Sequence, residues 1–376
     1  IYASGLGTLT NNGDITVEYD GTYGILSKGV DIVNNGTIKV GKTTSTDSDA
    51  LGIYVENAGL TTNGDKLKVQ GHGGTNNKPI GIYVKENAAT TNKVITINQG
   101  TDAMKVEGKK GLGLYLDGNS GDKLKLVNKS DIELTASTAS ADKRIGLVLK
   151  AARNTGNLTS GKIVVKKNNI GIYNENSMLT HQGTLEVKHS EDSTTNIGIH
   201  NKAAGNNFVF KVEKTPTNPG LVDVEGHAGT VGISVETDGA NTGTVTLTDA
   251  QIKVKATNMA AGKIPLGIYA KGNKININST SSGSTFTVSP NAVGIYLEGD
   301  NTSKVSGSHK YSLSSENTAD RLGIGTYFKG GSYATTTPTE KIEIESTQTK
   351  SNSDGPIRPI GLFYGQGSTK NEANLE

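Results

Sequence analysis

The chain has no cysteine and no tryptophan, only 8 prolines, and aromatic residues fill just 5 % of its 376 positions. Without cysteine there is no disulfide framework, no thiolate nucleophile and no cysteine-based zinc site, so stability rests on packing and hydrogen bonding. No run of about 18 apolar residues occurs, which excludes a membrane-spanning helix within this sequence. An excess of one charge is missing too: 38 basic residues against 36 acidic leave a net charge of +2. A nucleic-acid binder concentrates lysine and arginine on one face, and this balance offers no such surplus. The arginines are Arg144, Arg153, Arg321 and Arg358, too few and too scattered to expect a bidentate clamp for phosphate or carboxylate.

What is present is glycine, at 49 residues, and a modest 33 % of hydrophobic residues. That fraction is low for a globule, yet its spacing is too regular for a disordered chain. A solenoid reconciles the two, because each coil needs only a few inward aliphatic side chains.

The sequence repeats. An aliphatic-Gly-aliphatic-Tyr motif appears at Leu51–Val55, Ile80–Val84, Leu112–Leu116, Ile170–Tyr173, Leu266–Tyr269 and Val293–Leu297. Degenerate copies centre on Gly24, Gly146, Gly198, Gly232, Gly323 and Gly361, which gives spacings of 25 to 38 residues. A second motif, Asn35-Gly36-Thr37-Ile38-Lys39-Val40, returns at Asn63–Val69 and Gln182–Val187, its glycine 12 residues after the first. Looser versions are Lys162–Val165, Gly243–Leu247 and Lys341–Ile344. Alternation of apolar and polar residues marks both motifs as half-buried strands. The Asn-Gly pairs predict turns built on positive φ.

The expected fold is all-β: a right-handed, single-stranded parallel β-helix of about twelve coils, with two strands per coil and room for a short third. Residues 1–376 read as one continuous segment of a longer array, since Ile1–Gly5 matches Ile268–Gly272 and the chain opens inside a repeat. In Ile80–Val84 the alternation places Ile80, Ile82 and Val84 inside and Tyr83 outside. Tyr54, Tyr83, Tyr115, Tyr173, Tyr269 and Tyr296 would then form an outward stacking ladder, interrupted at Val148, His200 and Ser234. Such a row also suits sugars, but stacking alone accounts for it.

These repeated Gly-Ile-Tyr strands and Asn-Gly-Thr-Ile turns, in a Lys- and Asn-rich chain without cysteine, resemble the passengers of the large fusobacterial type V autotransporter adhesins, the RadD-like group. The resemblance covers essentially the whole chain. It implies a right-handed β-helical stalk, exported through a C-terminal outer-membrane barrel and displayed on the cell surface, where such proteins mediate coaggregation and host-cell adhesion. The implied partners are a host-cell or bacterial surface protein or glycan. A monomer is expected, with no cofactor and no catalytic residue.

Other β-helices degrade polysaccharides, so acid–base chemistry is the competing reading. Gly71-His72-Gly73 matches one element of a polygalacturonase-type site, without the paired aspartates and Arg-x-Lys that complete it. Gly118-Asn119-Ser120-Gly121-Asp122 is a faint protease-like loop, but a triad needs a histidine beside it. Asp47-Ser48-Asp49 has the residues of a calcium-site fragment but lacks the nonapeptide repeat, so a solvated loop is expected and no metal. Lys109-Lys110 and Lys166-Lys167 read as solvated turns. Two segments, 203–220 and 325–341, are long enough to protrude as binding loops. The first holds Phe208 and Phe210, which plug a core or meet a ligand. The second offers Tyr327, Phe328 and Tyr333 as candidate ligand-binding residues, or as cover for a coil.

Overall fold

The computed structural model describes residues 1–19, 21–41, 50–71, 78–87, 92–119, 123–135, 144–166, 169–188, 195–257, 264–289, 292–315, 323–334, 340–348 and 360–365. Among them the fold is all-β, a parallel β-solenoid whose one helical element is the 3-10 turn Gly64–Lys66. The coils carry three strands each, one per sheet, and every strand pairs in parallel with its equivalent in the neighbouring coil. Contacts divide the chain into two compact units, Ile1–Asp192 and Ser193–Glu376.

In the first unit each sheet has seven strands. One coil shows the plan: Leu51–Glu56 lies in the first sheet, Leu60–Asn63 in the second and Leu67–Gln70 in the third. Inward side chains alternate along the second- and third-sheet strands and, after one slip at the glycine, along the first, closing a core in which Ile53, Val55, Leu60, Leu67 and Val69 are at most 1 % exposed.

Glycine sets the cross-section. In the first-sheet strands two consecutive residues point inward, Gly52 with Ile53 and Gly81 with Ile82. The alternation therefore slips at the glycine, and Ile80, predicted inside, is half exposed. A Cβ on Gly81 would lie 2.4 Å from the Gly113 carbonyl oxygen of the next coil and 3.1 Å from Met104 and Val106 of the third sheet. Only glycine lets the chain turn that corner against its neighbour.

The second glycine corrects a prediction. Gly36, Gly64 and Gly183 do not have positive φ. They are small because coils stack there: a Cβ on Gly36 would sit 2.0 Å from the Gly13 carbonyl oxygen, and one on Gly183 2.2 Å from that of Gly161. Two residues before each lies a buried column that the motif hid, Asn11, Asn34, Thr62, Ile97, Asn128, Thr159 and His181 in register on the second sheet. The Asn34 amide donates to the Gly36 carbonyl oxygen (2.9 Å) and to Thr62 Oγ1 (3.2 Å), and accepts from Asn11 (2.8 Å). Asn128 does the same toward Ser130 and Thr159. Each amide closes its own turn and clips it to the next, so the buried amide atoms of Asn34 and Asn128 are satisfied.

In the second unit the three sheets hold six, five and five strands. Gly243–Thr248, read as a copy of the third-sheet motif, instead joins the second sheet beside Phe208–Glu213. Both sheets alternate with period two, so the pattern alone does not say which face a strand joins. The core here is aromatic: Phe208, Phe210, Phe286, Tyr311 and Phe328 are fully buried. The glycine columns make room for these rings, as a Cβ on Gly294 would fall 2.3 Å from Tyr311. The anchor in this region is Gly325 rather than Gly323, because Val293 pairs with Ile324 and Ile295 with Thr326.

Candidate functional site: the outer face of the first sheet

Alternation leaves three outward columns on the first sheet of the first unit. Tyr23, Leu51, Ile80, Leu112, Ile145 and Ile170 form a mostly half-buried apolar column. Beside it run Tyr2, Leu26, Tyr54, Tyr83, Tyr115, Val148 and Tyr173, with Val148 interrupting the tyrosines as predicted. Two residues further along each strand lies the third column, Lys28, Glu56, Lys85, Asp117, Lys150 and Glu175, in which the sign alternates from coil to coil. The second unit repeats the device with Lys202, Glu236, Lys271, Glu298 and Lys329. Sequence reasoning finds the tyrosines and misses this ladder, whose signal is the sign of the residue two after each tyrosine.

The rings spend their faces on one another. Tyr83 stacks on Tyr115 (4.7 Å, 9°) and meets Tyr54 edge-on (5.3 Å). In the second unit Tyr296 stacks on Tyr327 (4.9 Å, 5°), and Tyr327 on Phe363 (5.1 Å, 18°), while Tyr269 tilts against Tyr296. Tyr327, stacked on both sides, has no free face for a sugar, and Tyr83 and Tyr296 each have one face covered, which favours the stacking role. The Tyr54 hydroxyl donates to Glu56 (3.2 Å) and that of Tyr173 to Glu175 (2.6 Å), tying the aromatic column to the charged one. Burial first, and a neighbouring carboxylate second (Glu56 and Asp117 respectively), push Tyr54 and Tyr83 up to about 12. These hydroxyls are donors at neutral pH and not bases.

The candidate binding residues fall elsewhere than predicted. Segment 325–341 is not a loop where it is described: Ile324–Phe328 and Ser332–Ala334 are strands. Phe328 is fully buried and Tyr333 is 3 % exposed, its hydroxyl donating to the Gly307 carbonyl oxygen. Neither can meet a ligand, and Tyr327 belongs to the stacking column. Segment 203–220 likewise contains the strand Phe208–Glu213, with both phenylalanines in the core. What projects is the short turn after it, where the Thr215 amide donates to the Asn218 carbonyl oxygen. Lys109-Lys110 is a turn, whereas Lys166 ends a strand and pairs with Glu133 (2.6 Å). His72, Asp47-Ser48-Asp49, Ser120-Gly121-Asp122 and Lys167 lie outside the described residues.

Arg144, which the sparse arginines gave no reason to single out, is fully buried and donates to the carbonyl oxygens of Gly108 (2.8 Å) and Lys166 (2.9 Å). It binds coils together from within. Among the described residues no group of three or more His, Cys, Asp or Glu gathers to hold a metal ion. A shallow polar cleft in the second unit, near Ser281, Ser282, Thr285, Ser308 and Lys341, has Glu343 as the one carboxylate among the described residues of its lining. Glycoside hydrolysis in its usual form needs a pair. Comparison with family models, curated proteins and solved structures returned no match.

Proposed function

We propose that the chain is a non-catalytic passenger segment of a bacterial cell-surface autotransporter adhesin, acting as a rigid scaffold for cell–cell adhesion and coaggregation. One observation carries the reading: side chains on the first-sheet face, and the buried amides behind the second, are engaged with their equivalents in the adjacent coil. Chemistry is thereby invested in holding an array together, as a scaffold requires. Export through an outer-membrane barrel rests on the family resemblance. The partners fitting this reading are proteins or glycans on other bacteria or host cells, not nucleic acid.

The test uses the purified chain in two assays. Saturable binding to partner bacteria or host cells, with no product released from acidic polysaccharides, is the expected result. Steady release of oligosaccharides without cell binding would replace the scaffold with a polysaccharide-degrading β-helix.

A further inference from the structure

The charge ladder has a property beyond its use within one chain. Read from Lys28 to Glu175 its signs run plus, minus, plus, minus, plus, minus. Reversed, the same six run minus to plus. Two copies laid face to face with opposite coil order therefore place Lys28 against Glu175, Glu56 against Lys150, and Lys85 against Asp117. The two-fold axis runs parallel to the strands, between Lys85 and Asp117. The same operation brings tyrosine column to tyrosine column and aligns the half-buried apolar columns. The five-member ladder of the second unit, plus at both ends, would meet itself sign on sign.

We infer that this outer face of the first unit is a docking surface for a second copy of the chain, paired antiparallel through the alternating ladder. The scaffold reading assigns no partner to this face, and the pairing stands or falls independently of how the chain is displayed. A closed two-fold contact of this kind is isologous, each patch meeting itself. Six strands about 4.8 Å apart and roughly 20 Å long offer on the order of 600 Å² per partner. That is below a standard stable interface, so single copies separate when dilute and pair when arrayed at high local density. Ladder charges are exposed or half exposed, which makes the contact sensitive to salt.

The experiment is sedimentation equilibrium of the full chain over a wide concentration range, at low and high salt. Wild type should self-associate at low salt and weaken at high salt. Lys85→Glu alone sets like charges at both symmetric positions, as does Asp117→Lys alone, and each should weaken association about tenfold or more. An equimolar mixture of the two single variants restores both contacts and should recover it, as should the double variant. Within one chain the double variant instead sets the new carboxylate beside Glu56 and the new ammonium beside Lys150, so a role confined to coil stacking predicts no recovery. Thermal melts confirm that each variant is folded. If a variant of this pair does not fold, Lys28→Glu and Glu175→Lys, at the ladder ends, serve the same design. A wild type that stays monomeric at low salt, or a mixture no better than its components, overturns the inference.

Discussion

His309 shows how much a single buried side chain can do in a coil this thin. Its Nε2 donates to the Ser306 carbonyl oxygen (3.1 Å) and its Nδ1 faces Ser279 Oγ (3.2 Å), among the rings of Phe286, Tyr311 and Tyr333. Burial, partly opposed by the Ser306 bond and the Glu340 charge, pushes its pKa down to about 4 from the ordinary 6.5. A depressed folded pKa means the unfolded chain takes up the proton first. Stability is therefore full above pH 6.5 and is lost as pH falls to about 4, by up to about 3 kcal/mol. Urea unfolding at pH 7.5 and pH 4.5 should show that loss in wild type, and His309→Asn should remove most of the difference. Carboxylates such as Asp238, held down to about 2 by the Gly205 and Asn241 amides, act only below this window. The Asn34 amide is the neutral counterpart. Asn34→Leu strands Asn11 and Thr62 and should cost about 2–4 kcal/mol in urea unfolding at any pH.

At the scale of one strand or turn, the two glycine columns and the tyrosine column make separable predictions. Gly36→Ala drives a Cβ into the Gly13 carbonyl, backbone that cannot swing aside, and should cost at least about 2 kcal/mol, whereas alanine at Gly13, with nothing near its Cβ, should be tolerated. Tyr83→Ala removes one stacked and one edge-on partner and should lower stability by about 2 kcal/mol while leaving cell binding unchanged. Strand existence was legible because apolar and polar residues alternate after the glycine of the first motif and along the second. The second sheet was not, since Leu158–Thr159 and Lys304–Ser306 are too short to show a period. The glycines were found for the wrong reason: sequence proposes positive φ, whereas the neighbouring coil imposes the choice, and a neighbour is invisible to a local pattern. Tyr333 and Phe328 misled in the same way. Both sit among Gly, Ser and Thr, and their burial depends on the coil before them.

For the molecule as a whole, each coil touches mainly its immediate neighbours, so whole coils can be removed without dismantling the rest. The columns say which removals are benign. Deleting residues 51–79 sets Lys28 beside Lys85 and Asn34 beside Ile97, a like-charge contact and a lost hydrogen bond. Deleting residues 51–111 removes two coils, yet sets Lys28 beside Asp117 and Asn34 beside Asn128. The larger deletion should be the more stable by about 1–3 kcal/mol in urea unfolding. A one-coil deletion as stable as the two-coil one would show that the columns do not govern stacking.

The alternating ladder thus gives the solenoid a parity. A repeat array usually lengthens by copying one repeat, and any copy number serves. Here an odd insertion leaves a seam where like signs face each other, and an even one leaves none. The unit that can be added without such a seam is a pair of coils, and a single-coil duplication would carry a stability cost until a lysine or an acid changed sign.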